Sequence, residues 1–209
     1  LAVLGGQVNR TLVAALQAQG VPAVGLTGAD GGCFSVHRHA PDGRDLGYVG
    51  EVHHVAPHLL ETLLAADFVP VLASVAPLDA TQNDPADHLY NVNADSAAAP
   101  LAAALKADVL LLLTDVPGVL GAEGELLSEL SPDDAAELEQ LGVLEGGMLP
   151  KVRAALAAST ALSAGRVKIA PADGPSALLA ALEPGVGTTI TASLSSQGAT
   201  HHEGATHHG

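Results

Sequence analysis

Positive charge is scarce in this sequence. Only 8 residues are Lys or Arg, against 23 Asp or Glu, which gives a formal net charge of −15 at pH 7. Such a surface repels a phosphodiester backbone, so binding to nucleic acid is not expected. If the protein handles anionic substrates, only a short set of side chains can neutralise them: Arg10, Arg38, Arg44, Lys106, Lys151, Arg153, Arg166 and Lys168.

Aromatic residues and cysteine are also rare. Aromatics make up 2% of the chain while hydrophobic residues make up 48%, so the core must be built mainly from Leu, Val and Ala. The single cysteine, Cys33, excludes an internal disulfide and a cysteine-only metal site. We expect Cys33 to be a small core residue in a reducing cytoplasm.

Long hydrophobic runs and two common nucleotide-binding patterns are missing. The longest apolar runs, such as residues 109–113, are far too short to cross a bilayer, and no signal peptide opens the chain. We therefore expect a cytoplasmic protein with no membrane partner. Neither the dinucleotide pattern G-x-G-x-x-G nor the P-loop pattern G-x-x-x-x-G-K-[ST] occurs, so a kinase with this sequence would need a different phosphate cradle.

Apolar strand-like runs alternate with Ala- and Leu-rich helical stretches. The patterns predict helices at residues 8–19, 55–66, 96–106, 132–140, 150–163 and 176–182. They predict strands at residues 22–26, 68–74, 109–114, 166–170 and 187–191, with a polar hairpin at 34–38 and 47–49. This alternation favours an α/β fold with a largely parallel sheet that is covered on both faces.

Histidines do not suggest a metal site in the sequence. His37, His39, His53, His54 and His88 show no ligand spacing on one element, so we predict surface residues and no metal. Four more histidines lie in the repeat over residues 198–209, which is low in complexity and predicted to be disordered. Paired histidines of that kind would bind a transition metal only weakly.

Lys151 follows two glycines and a proline, Gly146, Gly147 and Pro150. Proline suits the first helical position, which would place Lys151 in the first turn. A cation there opposes the helix dipole by roughly 0.3–1 kcal/mol, and a bound anion would remove the conflict. Arg153 would add a second cation. The alternative is a solvated lysine at a helix end.

Two further candidate sites are the polar segment before the predicted helix at residues 96–106 and the aspartate after the predicted strand at residues 109–114. In an extended N-V-N-A-D segment, Asn91, Asn93 and Asp95 would project to one side and face a polar ligand or a lysine. Alternatively, Asp95 is the N-cap of the Ala-rich helix. Asp115 ends an apolar strand, where ligands bind in open α/β sheets, or it simply caps the following Pro-Gly turn.

Several ordered blocks together resemble the acetylglutamate kinases of the amino-acid kinase family. They are G-Q-V-N-R-T-L-V, A-V-G-L-T-G-A-D-G, L-G-Y-V-G-E-V, N-V-N-A-D, L-T-D-V-P-G-V-L and G-G-M-L-P-K-V, which span the chain from about residue 5 to residue 190. Sister kinases that act on carrier-linked aminoadipate have a loop of the N-T-D-G-D type, so N-V-N-A-D favours acetylglutamate. A catalytically silent nucleotide-binding or regulatory subunit is the third alternative.

The resemblance implies a fold and a reaction. The fold would be a three-layer α/β/α sandwich with a mostly parallel central sheet. The reaction would move the γ-phosphoryl of ATP, bound with Mg²⁺, onto the side-chain carboxylate of N-acetyl-L-glutamate in arginine biosynthesis. The resemblance also implies a homodimer, with the helix at residues 8–19 in the subunit interface.

The resemblance further implies site residues. Lys151 would bridge the nucleotide phosphates, Asp95 would position catalytic lysines, and Asn91 with Asn93 would bind the substrate. The segments that border ATP would be Asp115, Val116, Pro117, Gly118, Val119 and Leu120, together with Val143, Leu144, Glu145 and Gly147.

The start of the chain departs from the family pattern. Members begin with a strand that bears a second catalytic lysine, followed by a glycine-rich loop and an arginine that grips the substrate. None of these precedes the helix at residues 8–19. We therefore expect a kinase domain over residues 1–192 that is N-terminally incomplete relative to the family, and a tail over residues 193–209.

Overall fold

The computed structural model describes residues 2–82, 88–162 and 165–191. The predicted tail at residues 193–209 lies outside these ranges. The α-helices are α1 (Asn9–Ala18), α2 (His58–Ala65), α3 (Ala94–Ala104), α4 (Pro132–Gln140), α5 (Met148–Ala161) and α6 (Ala177–Leu182). The strands are β1 (Ala23–Leu26), β2 (Phe34–Arg38), β3 (Gly50–Val55), β4 (Val69–Leu72), β5 (Val75–Pro77), β6 (Leu89–Asn91), β7 (Val109–Thr114), β8 (Glu129–Leu130), β9 (Arg166–Pro171) and β10 (Thr188–Ile190).

The predicted parallel pairing is found in both halves of the molecule. In the N-terminal half β1 pairs with β4 in parallel. In the C-terminal half the strand order is β7-β9-β10-β8, with β7–β9 and β10–β8 parallel and β9–β10 antiparallel. Helices pack on these strands, so the α/β class that the alternating pattern predicted is confirmed.

The polar hairpin differs from the prediction in its second strand. β2 pairs antiparallel with β3, which begins at Gly50 rather than at residue 47 and continues to Val55. As a result, Val55 belongs to a strand and α2 begins only at His58. The short pair β5–β6 was not predicted, because each strand has only three residues and shows no clear alternation.

The buried side chains form two cores. An N-terminal core includes Phe34, Tyr90 and Leu60, and a C-terminal core includes Leu130 and Ile169. Helix α3 contributes to both cores: Ala97 to the first, and Ala99 and Ala102 to the second.

Helices α3 and α5 pack against each other through small side chains. The C-terminal core includes Ala99 and Ala102 of α3 and Ala155 and Ala158 of α5. Because alanine side chains are short, the two helix backbones can come close, and this contact sets the relative position of the helix starts.

A buried asparagine fixes α1 on the N-terminal strands. Asn9 is 4% exposed, and its Nδ2 donates to the carbonyl oxygen of Val71 at 2.8 Å. A Cβ on Gly25 in β1 would lie only 2.0 Å from Asn9 Oδ1, so this contact requires glycine at position 25.

Candidate active site

Helix α5 begins without a side-chain cap. Its N-cap is Gly147, preceded by Gly146 in the left-handed region at φ 55°, and no side chain accepts from its first turn. The helix starts at Met148, so Pro150 is the third helical residue and not the first as predicted. Lys151 nevertheless lies near the helix start, beside the backbone N–H groups of Gly147 and Leu149, which favour an anion. The N–H of Met148 donates to the carbonyl oxygen of Glu145 at 3.2 Å, and Pro150 has none.

Lys151 forms an ion pair with Asp95 from the first turn of α3. The distance from Lys151 Nζ to Asp95 Oδ1 is 2.7 Å, and the side chains are 14% and 24% exposed. The carboxylate therefore holds the ammonium in one position at the start of α5. Partial burial reduces screening by solvent, which makes this pair stronger than a typical surface ion pair.

The residue that caps α3 is Asn93, and Asp95 lies inside the helix. Asn93 Oδ1 accepts from the backbone N–H of Ser96 at 3.1 Å. The prediction that Asn91, Asn93 and Asp95 project to one side assumed an extended segment. Because α3 begins at Ala94, Asp95 is helical, and that prediction is wrong for Asp95. The alternative prediction of Asp95 as the N-cap is also wrong.

Asn91 ends β6 and is exposed at a small cavity. Its backbone N–H donates to the carbonyl oxygen of Tyr48 at 2.9 Å. The cavity has a volume of about 260 Å³ and is lined by Leu4, Tyr48, Val75, His88, Leu89 and Asn91. Asn91 is the only one of the four predicted substrate-binding or catalytic residues at this cavity.

Asp115 lies at the carboxyl end of β7, as the sequence predicted. Its carboxylate is exposed and accepts from Thr114 Oγ1 at 3.3 Å. In the following turn, the backbone N–H of Val119 donates to Thr188 Oγ1 at 2.9 Å. A Cβ on Gly118 would lie 2.8 Å from that same oxygen, so the close approach to β10 requires glycine.

The remaining predicted nucleotide residues differ in accessibility. Val119 is 0% exposed and Leu144 is 5% exposed, and both side chains belong to the C-terminal core. Any contact of these two residues with a ligand would therefore involve the backbone. The exposed residues are Pro117, Leu120, Glu145 and Gly147, while Val116 and Val143 are half-buried.

Arg153 does not join Lys151 at the helix start. Its guanidinium pairs with the carboxylate of Glu139 in α4, on an exposed surface. It also lines a cavity of about 630 Å³ between α3, α5 and β3, whose lining includes neither Lys151 nor Asp95. The expectation that both cations converge on one anion is thus wrong.

Thr188 holds the candidate nucleotide loop in place and was not predicted from the sequence. Thr188 is 0% exposed, and its Oγ1 accepts from Val119 and donates to the carbonyl oxygen of Leu127 at 2.6 Å. A threonine in a predicted buried strand was the available signal, because a buried hydroxyl requires partners.

Comparisons with known proteins identify relatives of this chain. An acetylglutamate kinase of Methanopyrus kandleri is 48% identical over 160 residues, which cover 73% of this chain and 63% of that protein. An acetylglutamate kinase of Halorhodospira halophila is 43% identical over 203 residues, covering 90% of this chain and 64% of that protein. The chain thus spans less than two thirds of the length of these relatives.

A solved structure shares the fold. Smu.665 from Streptococcus mutans superposes with a TM-score of 0.72 at 28% identity, covering 91% of this chain and 69% of that one. In the part of the chain that the structure describes, no helix combines the length and apolarity needed to span a bilayer. The sequence pattern of the amino acid kinase family matches residues 2–169. This match covers most of the chain and agrees with its α/β fold, so the chain belongs to the amino acid kinase family.

Proposed function

We propose that this protein transfers the γ-phosphoryl group of ATP to the side-chain carboxylate of N-acetyl-L-glutamate. The observation that carries the proposal is the Lys151–Asp95 ion pair at the uncapped start of α5. Relatives that are 40–48% identical are acetylglutamate kinases, which supports the choice of substrate. The product would be N-acetylglutamyl phosphate, made in the cytoplasm for arginine biosynthesis.

The reaction requires neutralisation of charge more than it requires covalent catalysis by the enzyme. A carboxylate oxygen of the substrate attacks the γ-phosphorus, a new O–P bond forms, and the bond to the β–γ bridging oxygen breaks to release ADP. The acceptor is already deprotonated at neutral pH, so no general base is needed. Mg²⁺ enters bound to the nucleotide and neutralises part of its charge.

Lys151 and the free N–H groups at the start of α5 would stabilise the charge on the transferred group. Asp95 would act as a positioning residue, because its carboxylate holds the Lys151 ammonium at 2.7 Å. Such preorganisation matters because a displacement of about 1 Å in a catalytic group can cost about 100-fold in rate.

Substrate and nucleotide would approach from different segments. Asn91 borders a cavity of about 260 Å³ and would bind acetylglutamate. Asn93 uses its Oδ1 to cap α3, so a direct contact with the substrate would come from its amide nitrogen. The exposed turn after β7, with Asp115, and the loop that includes Glu145 and Gly147 would border ATP.

Replacement of Lys151 tests the proposal. Lys151→Met keeps the aliphatic stem and removes the charge, and we expect turnover to fall at least tenfold, about 1.4 kcal/mol in the activation barrier. Asp95→Asn should lower turnover with little change in substrate affinity. Trapping of the acyl phosphate with hydroxylamine measures the product directly, and calorimetry measures ATP and acetylglutamate binding separately.

Lys106→Met is the matched control, because Lys106 is an exposed lysine beyond the end of α3. It should leave turnover unchanged. Unchanged product formation in Lys151→Met, at an unchanged melting temperature, would contradict the assignment. ATP binding without any acetylglutamate-dependent product would instead favour the catalytically silent alternative.

We also propose a homodimer in which α1 contributes to the interface. Val8, which directly precedes α1, and Leu12, one turn further along, support it, because these apolar side chains are 51% and 49% exposed. Burial of these side chains would stabilise association by roughly 25 cal/mol per Å² of apolar surface removed from water.

A further inference from the structure

The β2–β3 hairpin contains a bulge that moves one histidine. Ser35 pairs with His54 and Val36 pairs with Val52, so His53 is an extra residue in β3 between two paired positions. A bulge redirects the side chain of the extra residue. Here the imidazole of His53 stacks on that of His37 in β2, with the ring centroids 3.5 Å apart and the planes 15° apart.

An aspartate from a third segment completes the group. The backbone N–H of Asp79 donates to the carbonyl oxygen of Val36 at 2.8 Å, which fixes this segment beside β2. Its carboxylate accepts from Ser35 Oγ at 3.1 Å, and from the backbone N–H and the hydroxyl of Thr81 at 3.0 Å and 2.7 Å. These donors orient the carboxylate but leave it room for a further partner, since a carboxylate has about four lone-pair sites.

One imidazole nitrogen of this group has no hydrogen-bond partner among the described residues. His37 Nε2 is buried from solvent and neither donates nor accepts in that part of the chain. A buried polar atom without a partner is costly, by about 1–3 kcal/mol, so such an atom points to a ligand. One potential ligand atom from each of His37, His53 and Asp79 lies within 4.8 Å of the other two.

We propose that His37, His53 and Asp79 bind a divalent transition metal ion, with Zn²⁺ as the representative ion. Two imidazole nitrogens and one carboxylate oxygen form a donor set suited to Zn²⁺, Co²⁺ or Ni²⁺, whereas Mg²⁺ and Ca²⁺ prefer oxygen alone. Three protein ligands leave a fourth position open to water or to a small anion.

The geometry requires only a modest closure. Ligand atoms about 2.0–2.1 Å from a tetrahedral metal lie about 3.3 Å apart, so atoms within 4.8 Å must approach by about 1.5 Å at most. Rotation of the side chains can supply this movement, because His53 is exposed and lies on the bulge. Ser35 would orient the Asp79 carboxylate, as partners of metal-binding carboxylates commonly do.

This inference goes beyond the proposed kinase activity, since none of the three residues is among those assigned to substrate or nucleotide. His53 is exposed, as predicted for these histidines, whereas His37 is half-buried. The spacing on any one element gave no signal, because the three ligands come from two strands and a following loop.

Zn²⁺ titration by calorimetry tests the site. Because the tail could bind zinc, the full chain should carry alanine at His201, His202, His207 and His208 in every sample. In that background we expect one Zn²⁺ per chain. His37→Ala, His53→Ala and Asp79→Asn should each weaken binding at least tenfold.

His54→Ala is the matched control, because His54 is the adjacent exposed histidine on β3 and lies outside the group. It should leave the zinc affinity unchanged. Equal losses in His54→Ala and His53→Ala, or unchanged affinity in the three site variants, would overturn the proposal.

A measurement on the unsubstituted site covers the case in which a variant does not fold. Zn²⁺ should shift the ring NMR signals of both His37 and His53 in parallel with saturation, and it should leave those of His54 in place. Co²⁺ should give the intense visible absorption of a four-coordinate site. Shifts in only one of the two histidines, or in all histidines equally, would count against a shared metal ion.

Discussion

At the scale of single residues, Lys168 is unusual because it is a charged side chain inside the C-terminal half. It is 4% exposed, and its Nζ donates to the carbonyl oxygen of Glu183 at 2.8 Å. Burial lowers the pKa of Lys168 below its usual 10.5, the nearby Arg166 lowers it further, and Glu183 partly opposes the shift. The folded protein therefore releases this proton at a lower pH than the unfolded chain does.

The sign of this shift gives a prediction about stability. Between the folded pKa and 10.5 the unfolded chain binds more protons, so the free energy of unfolding rises with pH in that window. Lys168→Met removes the titrating group but keeps the stem. The stability of the wild type relative to this variant should rise as the pH rises towards about 10. Urea unfolding at several pH values measures it, and a flat or falling difference would contradict the lowered pKa.

Lys106→Met provides the control for that experiment, because Lys106 is exposed. The pH dependence of the stability difference should be larger for Lys168→Met than for Lys106→Met. The comparison separates the effect of burying a lysine from the general titration of an acidic protein.

At the scale of elements, α4 shows how strongly a local pattern can fix a helix start. Ser131 Oγ accepts from the backbone N–H of Asp134 at 3.1 Å, and Asp134 Oδ2 accepts from the backbone N–H of Ser131 at 3.0 Å. Pro132 occupies the first helical position. These reciprocal bonds form a capping box, and the helix begins and ends where the sequence predicted.

Ser131→Ala should lower the free energy of unfolding by about 1 kcal/mol, because the backbone N–H of Asp134 loses its acceptor and the Asp134 carboxylate loses the Ser131 hydroxyl as a donor. The pKa of Asp134 should also rise, since the Ser131 hydroxyl and backbone N–H hold it below its usual value. Chemical unfolding and carboxyl NMR titration measure the two effects. Ser128→Ala, at an exposed position before β8, serves as the control, and an equal loss there would exclude the capping box as the cause.

Sequence reasoning succeeded where one element carries its own pattern. β7 and α4 were predicted with the observed bounds, because an unbroken apolar run and a Ser-Pro-Asp start are local signals. It failed for β5, β6 and β8, which are two or three residues long and are held by tertiary pairing. The start of β3 and the position of Pro150 in α5 were also set by neighbours that the sequence does not reveal.

In the candidate site, too, local patterns were predictable and contacts between distant segments were not. Lys151 and Asp95 were singled out from their local patterns, and the family resemblance added their predicted roles. Their contact joins residues 56 positions apart and depends on how α3 meets α5. The separation of Arg153 from Lys151 depends on Glu139 in a different helix. Nothing in the spacing around residue 151 could distinguish these two cations.

At the scale of the whole molecule, the exposed face of α1 predicts association. Leu12→Glu should convert the proposed dimer into a monomer, because it places a charge in the exposed apolar surface next to Val8. Light scattering coupled to size exclusion measures the mass. Leu141→Glu is the control, since Leu141 is 62% exposed at the end of α4. A wild-type monomer, or equal dissociation of both variants, would contradict a dimer through α1.

The alanine contact between α3 and α5 also limits which substitutions this sequence can accept during evolution. At Ala99, Ala102, Ala155 and Ala158 a larger side chain would overpack the core by typically 1–3 kcal/mol, and glycine would cost about 1 kcal/mol of helix stability. Substitutions of these alanines by larger residues or by glycine are therefore both disfavoured. Asp95 and Lys151 lie near the starts of these two helices, so a substitution deep in this contact would displace the ion pair without touching either residue.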